Sequence, residues 1–213
     1  MQLISVNIGQ MRAIANAKSS GMTGIYKLPV TSPVVITANG IEGDAISDVK
    51  NHGGVDQAIY VYGEPDYRWW SQELGYEIEP GVFGENLTIS EMASAHLAIG
   101  DIFHIDDVTL QVTSPRIPCV TLAARMGDPA FVKRFRAAER PGLYCRVLRE
   151  GTVQVGATVV FEPYSGETIP AIELFKTFYE PDLREATLRR HLAAPVGERV
   201  RRHKEEQLRT LLR

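Results

Sequence analysis

Up to about Pro163 the chain is a series of short runs rich in Val, Ile and Tyr, each cut off by Gly, Pro or Asp within a few residues. Runs of that length, composition and punctuation are strand signals, and no helix of ordinary length fits between most of them. Candidate strands lie at 3–8, 33–37, 57–62, 101–105, 108–113, 142–149 and 158–162. Asp106-Asp107 separates two of them as a two-residue hairpin turn, without the usual glycine. Two short helices interrupt the series. One spans 65–74, with Tyr67, Trp70 and Leu74 at helical spacing; the other spans 129–137, with Asp128 placed as N-cap before a first-turn proline. Closely spaced strands with few helices predict a mainly β fold, a closed or nearly closed barrel with short helices, over residues 1–163.

After Pro163 the period changes. Ile172, Leu174, Phe175 and Phe178 repeat near 3.6 residues over 170–178, a second helix follows at 182–192, and a third at 197–212 carries Val200, Leu208, Leu211 and Leu212. Residues 164–213 therefore read as a three-helix appendage. It is too small for a core of its own and is expected to pack on the barrel or on a partner.

The composition, 44% hydrophobic and 23% charged, is that of an ordinary globular protein. The net charge of −3 excludes a polyanion binder acting with its whole surface, but the charge is uneven: residues 182–213 carry +4 and the remainder −7. A basic tail is either a nucleic-acid contact or the solvated face of basic helices, and the second is the commoner case, so nucleic acid is not the expected partner. Two cysteines in 213 residues do not make a disulfide scaffold. No apolar run approaches the ~20 residues that span a bilayer, and the first residues lack the basic region of a secretory signal. A reducing cytoplasm and no membrane are expected.

Four clusters carry possible chemistry. Gly43-Asp44 precedes Lys50-Asn51-His52-Gly53-Gly54, where paired glycines allow close backbone approach to a ligand and His52 can donate to an oxyanion; a tight surface loop explains the same residues. Phe83-Gly84-Glu85-Asn86-Leu87 sets two polar residues among apolar ones ahead of a strand, although Gly-Glu-Asn is also turn chemistry. In Ser114-Pro115-Arg116-Ile117-Pro118-Cys119 two prolines stiffen a loop that presents Arg116 and Cys119. The guanidinium fork suits phosphate, and a thiol near a cation favours the thiolate, a nucleophile or soft metal ligand; the alternative is a buried, inert cysteine. In Arg140-Pro141-Gly142-Leu143-Tyr144-Cys145-Arg146-Val147, Tyr144 and Arg146 share a strand face able to meet an anion, while Cys145 points to the core. Zinc-ligand spacing, phosphate-binding and dinucleotide glycine fingerprints, and the Gly-x-Ser-x-Gly nucleophile elbow are all missing from the sequence.

Taken in order, Gly40-Ile41-Glu42-Gly43-Asp44, Lys50, His52-Gly53-Gly54, Gln57-Ala58-Ile59-Tyr60, Phe83-Gly84-Glu85-Asn86-Leu87, Ile99-Gly100-Asp101, Pro115-Arg116-Ile117-Pro118-Cys119 and Gly142-Leu143-Tyr144 with Arg146-Val147-Leu148 resemble the MOSC-domain family, named for the C-terminal domain of molybdenum cofactor sulfurases. The resemblance covers roughly residues 1–163, and the helical tail is similar to the three-helix segment of its YiiM-like members. It implies a β-barrel with short helices and a pterin-bound molybdenum cofactor (molybdopterin), with Cys119 as the metal's protein ligand. It also implies a molybdenum-dependent oxidoreductase that detoxifies N-hydroxylated bases such as 6-N-hydroxylaminopurine. On that reading Cys119, Glu85 and His52 are the catalytic candidates, with Glu85 as a proton relay. Lys50, His52, Gly53, Gly54, Asn86, Arg116, Cys119, Tyr144 and Arg146 are the cofactor-binding candidates, and Tyr60, Phe83 and Tyr144 either stack on a flat ring or belong to the core.

The chain has no flavin, haem or iron–sulfur motif, so such a reductase draws electrons from an external redox protein. A homodimer is implied by resemblance only. The alternative function is a non-catalytic cofactor carrier or sulfur-transfer module, with Cys119 holding the cofactor or a persulfide; the lack of a fused aminotransferase-like, pyridoxal-phosphate domain counts against the sulfurase version. A third reading gives the basic tail an interaction role with nucleic acid or protein.

Overall fold

The Asp106-Asp107 turn is present as read: strand β9 (Ile102–Ile105) returns as β10 (Val108–Pro115), with Ile105 opposite Val108 and Asp106 in the left-handed region that a two-residue turn requires. The computed structural model describes residues 1–17, 21–47 and 53–213. Around this hairpin the main sheet takes β1 (Leu3–Gly9), β4 (Lys27–Val30), β7 (Ile59–Gly63), β8 (Leu87–Ile89), β11 (Leu143–Arg149) and β13 (Val159–Glu162). Its order is β13-β9-β10-β11-β7-β8-β1-β4. All neighbours are antiparallel except β7 and β8, which run parallel, so the sheet is mixed. Parallel neighbours need a crossover, and helix α1 (Glu64–Leu74) supplies it.

The named ladders make an eight-stranded mixed sheet and do not by themselves close the expected barrel. Among the described residues no ladder joins β4 to β13, and the strand expected at 33–37 leaves the main sheet. As β5 (Val34–Thr37) it pairs instead with β6 (Gly40–Ile41) and β12 (Gly151–Val153). A separate small pair is made by β2 (Arg12–Ala13) and β3 (Met22–Thr23). The start of β1 meets the start of β13: Gln2 bridges Thr158, the Leu3 N–H donates to the Ala157 carbonyl at 2.9 Å, the Gly156 N–H to the Leu3 carbonyl at 2.8 Å and the Val159 N–H to the Met1 carbonyl at 2.9 Å.

Strand β7 explains how the interior is divided. Alternate residues of a strand face opposite sides. Ile59 and Val61 join an aliphatic core with Leu3, Val6, Leu87, Phe103, Leu110 and Val112, while Tyr60 and Tyr62 face an aromatic core with Trp70, Phe83, Phe131 and Phe135. The aromatic core lies under α1, α2 (Val120–Met126) and α3 (Phe131–Ala138). Helix α2 was not expected. The helix expected at 129–137 starts at Phe131 with Ala130 as its cap, and Asp128 accepts from the Ala130 N–H at 2.8 Å instead of capping the helix. Gln57, the first residue of the expected 57–62 strand, belongs to a 3₁₀ turn, Val55–Gln57, and β7 starts at Ile59.

The tail forms α4 (Ala171–Tyr179), α5 (Glu185–Ala193) and α6 (Glu198–Leu211), three helices where three were expected. Ala171, Leu174, Ala194 and Val196 belong to the aliphatic core, so the tail packs on the sheet. No helix among the described residues is long and apolar enough to cross a membrane.

Burial raises the phenol pKa values of five of the eight tyrosines, the buried Tyr60, Tyr62, Tyr67 and Tyr144 and the half-buried Tyr179. A folded pKa above the unfolded one gives stability that is present below about pH 10 and lost as the pH rises through the folded values. In an alkaline titration followed by phenolate absorbance, the four buried tyrosines are expected to ionise only as the near-ultraviolet circular dichroism collapses. All eight ionising together in a protein that stays folded would contradict this burial.

Candidate functional site

Cys119 sits where two cavities meet. β10 ends at Pro115, the two-proline loop follows, and Cys119 then precedes α2 with extended backbone, its carbonyl accepting from the Leu122 N–H at 3.0 Å. The residue is half-buried, and neither cysteine is in a disulfide. Cys119, Tyr144 and Gln57 line both cavities. The first, of about 330 Å³, is walled by Lys27, Asp44, Tyr60, Asn86 and Arg116. The second, of about 720 Å³, lies between the Gly53-Gly54 loop, the Cys119 loop and the faces of α4 and α6. Cys145 differs: it is fully buried, and burial raises its thiol pKa, so it is a core residue as expected.

The first cavity is polar because an ion pair and a buried guanidinium are built into its wall. Lys27 Nζ lies 2.5 Å from Asp44 Oδ1, and the two side chains are only 8% and 4% exposed. Asp44 also accepts from the Gly9 N–H at 2.8 Å and from Asn86 Nδ2 at 2.9 Å. Burial lowers the Lys27 pKa, against the pull of Asp44. Arg116 is 4% exposed, its guanidinium lies 5.2 Å from the centre of the Tyr60 ring, and its Nη1 has no hydrogen-bond partner among the described residues. A buried cation with an unused donor is costly to keep unless an anion meets it. The Tyr60 hydroxyl donates to the Pro141 carbonyl at 2.8 Å, and its ring packs against that of Tyr144 at 5.1 Å.

Of the residues singled out from sequence, Gly53, Gly54, Asn86, Arg116, Cys119 and Tyr144 are brought to the cavity walls. Glu85 is not. It is fully buried behind the wall, where Oε1 accepts from the Tyr67 hydroxyl at 2.6 Å, the Gly81 N–H at 2.5 Å and the Thr88 hydroxyl at 3.0 Å, and burial raises its pKa. The carboxyl thus pins its own turn and faces neither cavity. Arg146 also lies off both walls. It pairs with Asp56 at 2.9 Å and donates to the Pro195 and Val196 carbonyls, fastening the tail to β11. Phe83 is part of the aromatic core. Asn86 is occupied structurally, with Oδ1 accepting from the Tyr60 N–H at 3.1 Å. Lys50 and His52 lie outside the described residues.

Three wall residues carried no readable signal. Lys27 stands in Lys27-Leu28-Pro29-Val30, where nothing marks it as buried, and Lys204 and Arg202 read as part of a solvated basic helix.

A family model described as the MOSC domain matches residues 48–160. The chain is 36% identical over 157 residues to the uncharacterized protein YflK of Bacillus subtilis (strain 168), covering 74% of this chain and 71% of that protein. It is 36% identical over 141 residues to a protein of Gibberella moniliformis (strain M3125 / FGSC 7600) named a reductase, of which it covers 25%, with 64% of this chain aligned. The crystal structure of YiiM from Geobacillus stearothermophilus superposes with a TM-score of 0.80 at 26% identity, covering 97% of this chain and 98% of that one.

The Lys27–Asp44 pair gives a stability prediction. Asp44→Asn leaves a buried ammonium without its counter-charge and is expected to cost about 3–5 kcal/mol in urea unfolding. The double variant Lys27→Met/Asp44→Asn is expected to recover most of that loss. Equal stability of the single variant and the parent would show that the pair does not hold this wall.

Proposed function

The chain belongs to the MOSC-domain family, and from that premise we propose that it is a molybdenum-cofactor-dependent reductase of N-hydroxylated compounds in which Cys119 ligates the metal. The observation that carries the proposal is the position of Cys119 on the shared wall of two cavities, one of which also holds the buried Arg116. The residues fit the group. A thiolate is a soft ligand suited to a heavy metal. Among the described residues no cluster of three His, Cys, Asp or Glu could hold a metal, which agrees with a metal that brings its own organic donors to Cys119. The unused Arg116 Nη1 suits the phosphate of a pterin cofactor. The likeness to a Gibberella moniliformis protein named a reductase agrees with this reading.

When bound, the cofactor supplies two-electron redox chemistry at the metal. The protein's residues do the rest. Cys119 Sγ would hold the metal at the junction of the cavities, Arg116 would neutralise the phosphate, and the rings of Tyr60 and Tyr144 offer flat apolar faces. Lys27 Nζ, held by Asp44, keeps an acidic proton on the wall of the first cavity, and the burial that lowers its pKa makes that proton easier to give. The overall step breaks one N–O bond: R–NH–OH takes two electrons from an external redox protein and two protons, and leaves as R–NH₂ and water.

Cys119→Ser keeps a residue suited to the position ahead of α2, so the fold is expected to survive. Protein from a cofactor-making host is expected to lose its molybdenum and at least about 100-fold of its 6-N-hydroxylaminopurine reduction, with an unchanged circular dichroism spectrum. Full metal content and activity in the serine variant would end the proposal. Pterin retained without reduction by any redox partner would favour a cofactor carrier.

A further inference from the structure

The second cavity holds a buried cation that the reduction step does not use. Lys204 on α6 is 3% exposed and lines this cavity, and its ammonium makes no ion pair or side-chain hydrogen bond with any described residue. The acids whose charge reaches it are committed elsewhere. Asp182 is paired with Arg184 and accepts from the Thr187 hydroxyl at 2.8 Å, while Glu173 is bonded to His191 at 2.9 Å and paired with Arg190. Burial pushes the Lys204 pKa down, against the pull of Asp182 and Glu173.

Arg202 and His203 line the same cavity. Its own carboxylates are Asp56, neutralised by Arg146 at 2.9 Å, and the exposed Glu198. Positive charge is therefore in excess at the α6 end. Leu174 and Phe178 of α4 make the remaining wall apolar, and Cys119 lies on the same lining. A volume of about 720 Å³ lies within the usual range for sites that enclose a ligand of nucleotide size.

We propose that this cavity binds a nucleoside monophosphate, its phosphate on Lys204 and Arg202 and its base toward Cys119, so that the N-hydroxylated substrate is taken as a nucleotide rather than as a free base. The assignment of that nucleotide as substrate rests on the reductase reading; the phosphate site does not. The same charge chemistry would also receive the phosphate of a pterin cofactor, and the test separates the two.

Protein made in a host without the cofactor is titrated calorimetrically with AMP, adenosine and inorganic phosphate. AMP is expected to bind at least tenfold tighter than adenosine. Lys204→Met removes an unpaired buried charge at similar length, so it is expected to fold and to erase this preference; Arg202→Gln, at an exposed position, is expected to reduce it. In cofactor-loaded enzyme, Lys204→Met is expected to raise KM for N6-hydroxyadenosine monophosphate at least tenfold while molybdenum and pterin content stay at the parent level. Equal binding of AMP and adenosine, binding of neither, or an unchanged preference in Lys204→Met overturns the proposal. So does a loss of pterin in that variant, which would give the cavity's phosphate to the cofactor. An AMP preference in a protein that never takes up molybdenum keeps the phosphate site and removes the reductase reading. Reduction of the free base without any AMP preference does the reverse.

Discussion

The antiparallel ladder between β10 and β11 is the constraint on which the site depends. It sets Ser114 opposite Tyr144 and Pro115 opposite Leu143, so Tyr144 stands beside the point where the chain leaves the sheet to carry Arg116 and Cys119. Because strand side chains alternate, a slip of one residue would turn Tyr144 away from both cavities and bring Cys145 in its place. The register shift between Val112 and Ser114 is therefore part of the site's construction. On the far side of β11, β7 continues the same logic. Tyr144 pairs with Tyr60 and Leu143 with Val61, which sends the aromatic rings to one face and the aliphatic side chains to the other. The division of the core and the placing of the thiol follow from one pattern of alternation.

The cations around that thiol are held in different ways, and the difference sorts structure from recognition. Lys27 is buried with its counter-charge, and the pair is tied to β1 through the Gly9 N–H and to the turn before β8 through Asn86. Such a pair organises a wall and leaves Lys27 a proton to give rather than a charge to bind an anion. Arg146 is likewise spent on Asp56 and two tail carbonyls. Arg116 keeps a buried Nη1 donor without a partner among the described residues, and Lys204 is buried on the lining of the second cavity. Sequence treats these residues as equivalent basic side chains. Their use depends on which acids the fold brings to them.

That distinction also marks what could be read from the chain. The β9–β10 hairpin, the three tail helices, the buried Cys145 and the pairing of Arg116 with Cys119 on one loop are local, and local spacing reveals them. The placing of β5 is not local, because β5 pairs with β12, more than a hundred residues away in sequence. Helix α2 starts two residues after Pro118 and spans only Val120–Met126, too short for an apolar period to declare itself. Lys27 is buried because Asp44 meets it from a different segment, and Glu85 is hidden because Tyr67, Gly81 and Thr88 converge on it. The polar pair Glu85-Asn86 marked an important turn, yet its two members have different duties, which only their partners reveal.

The two cysteines make the same point about chemistry. Cys145 is enclosed on a strand whose neighbours are apolar, and its burial favours the neutral thiol, so it has neither the charge nor the access to react. Cys119 is half-buried after a loop stiffened by two prolines, with Arg116 three residues before it. The prolines limit the conformations of the loop whether or not a ligand is present, so the thiol does not have to be ordered when one arrives. A soft ligand held still at the junction of two cavities can face a cofactor in one and a substrate in the other. A thiol at the blind end of a single pocket would be covered by whichever group bound first. The tail, by supplying α4 and α6 as walls of the second cavity, turns what would otherwise be a surface cysteine into a shared boundary.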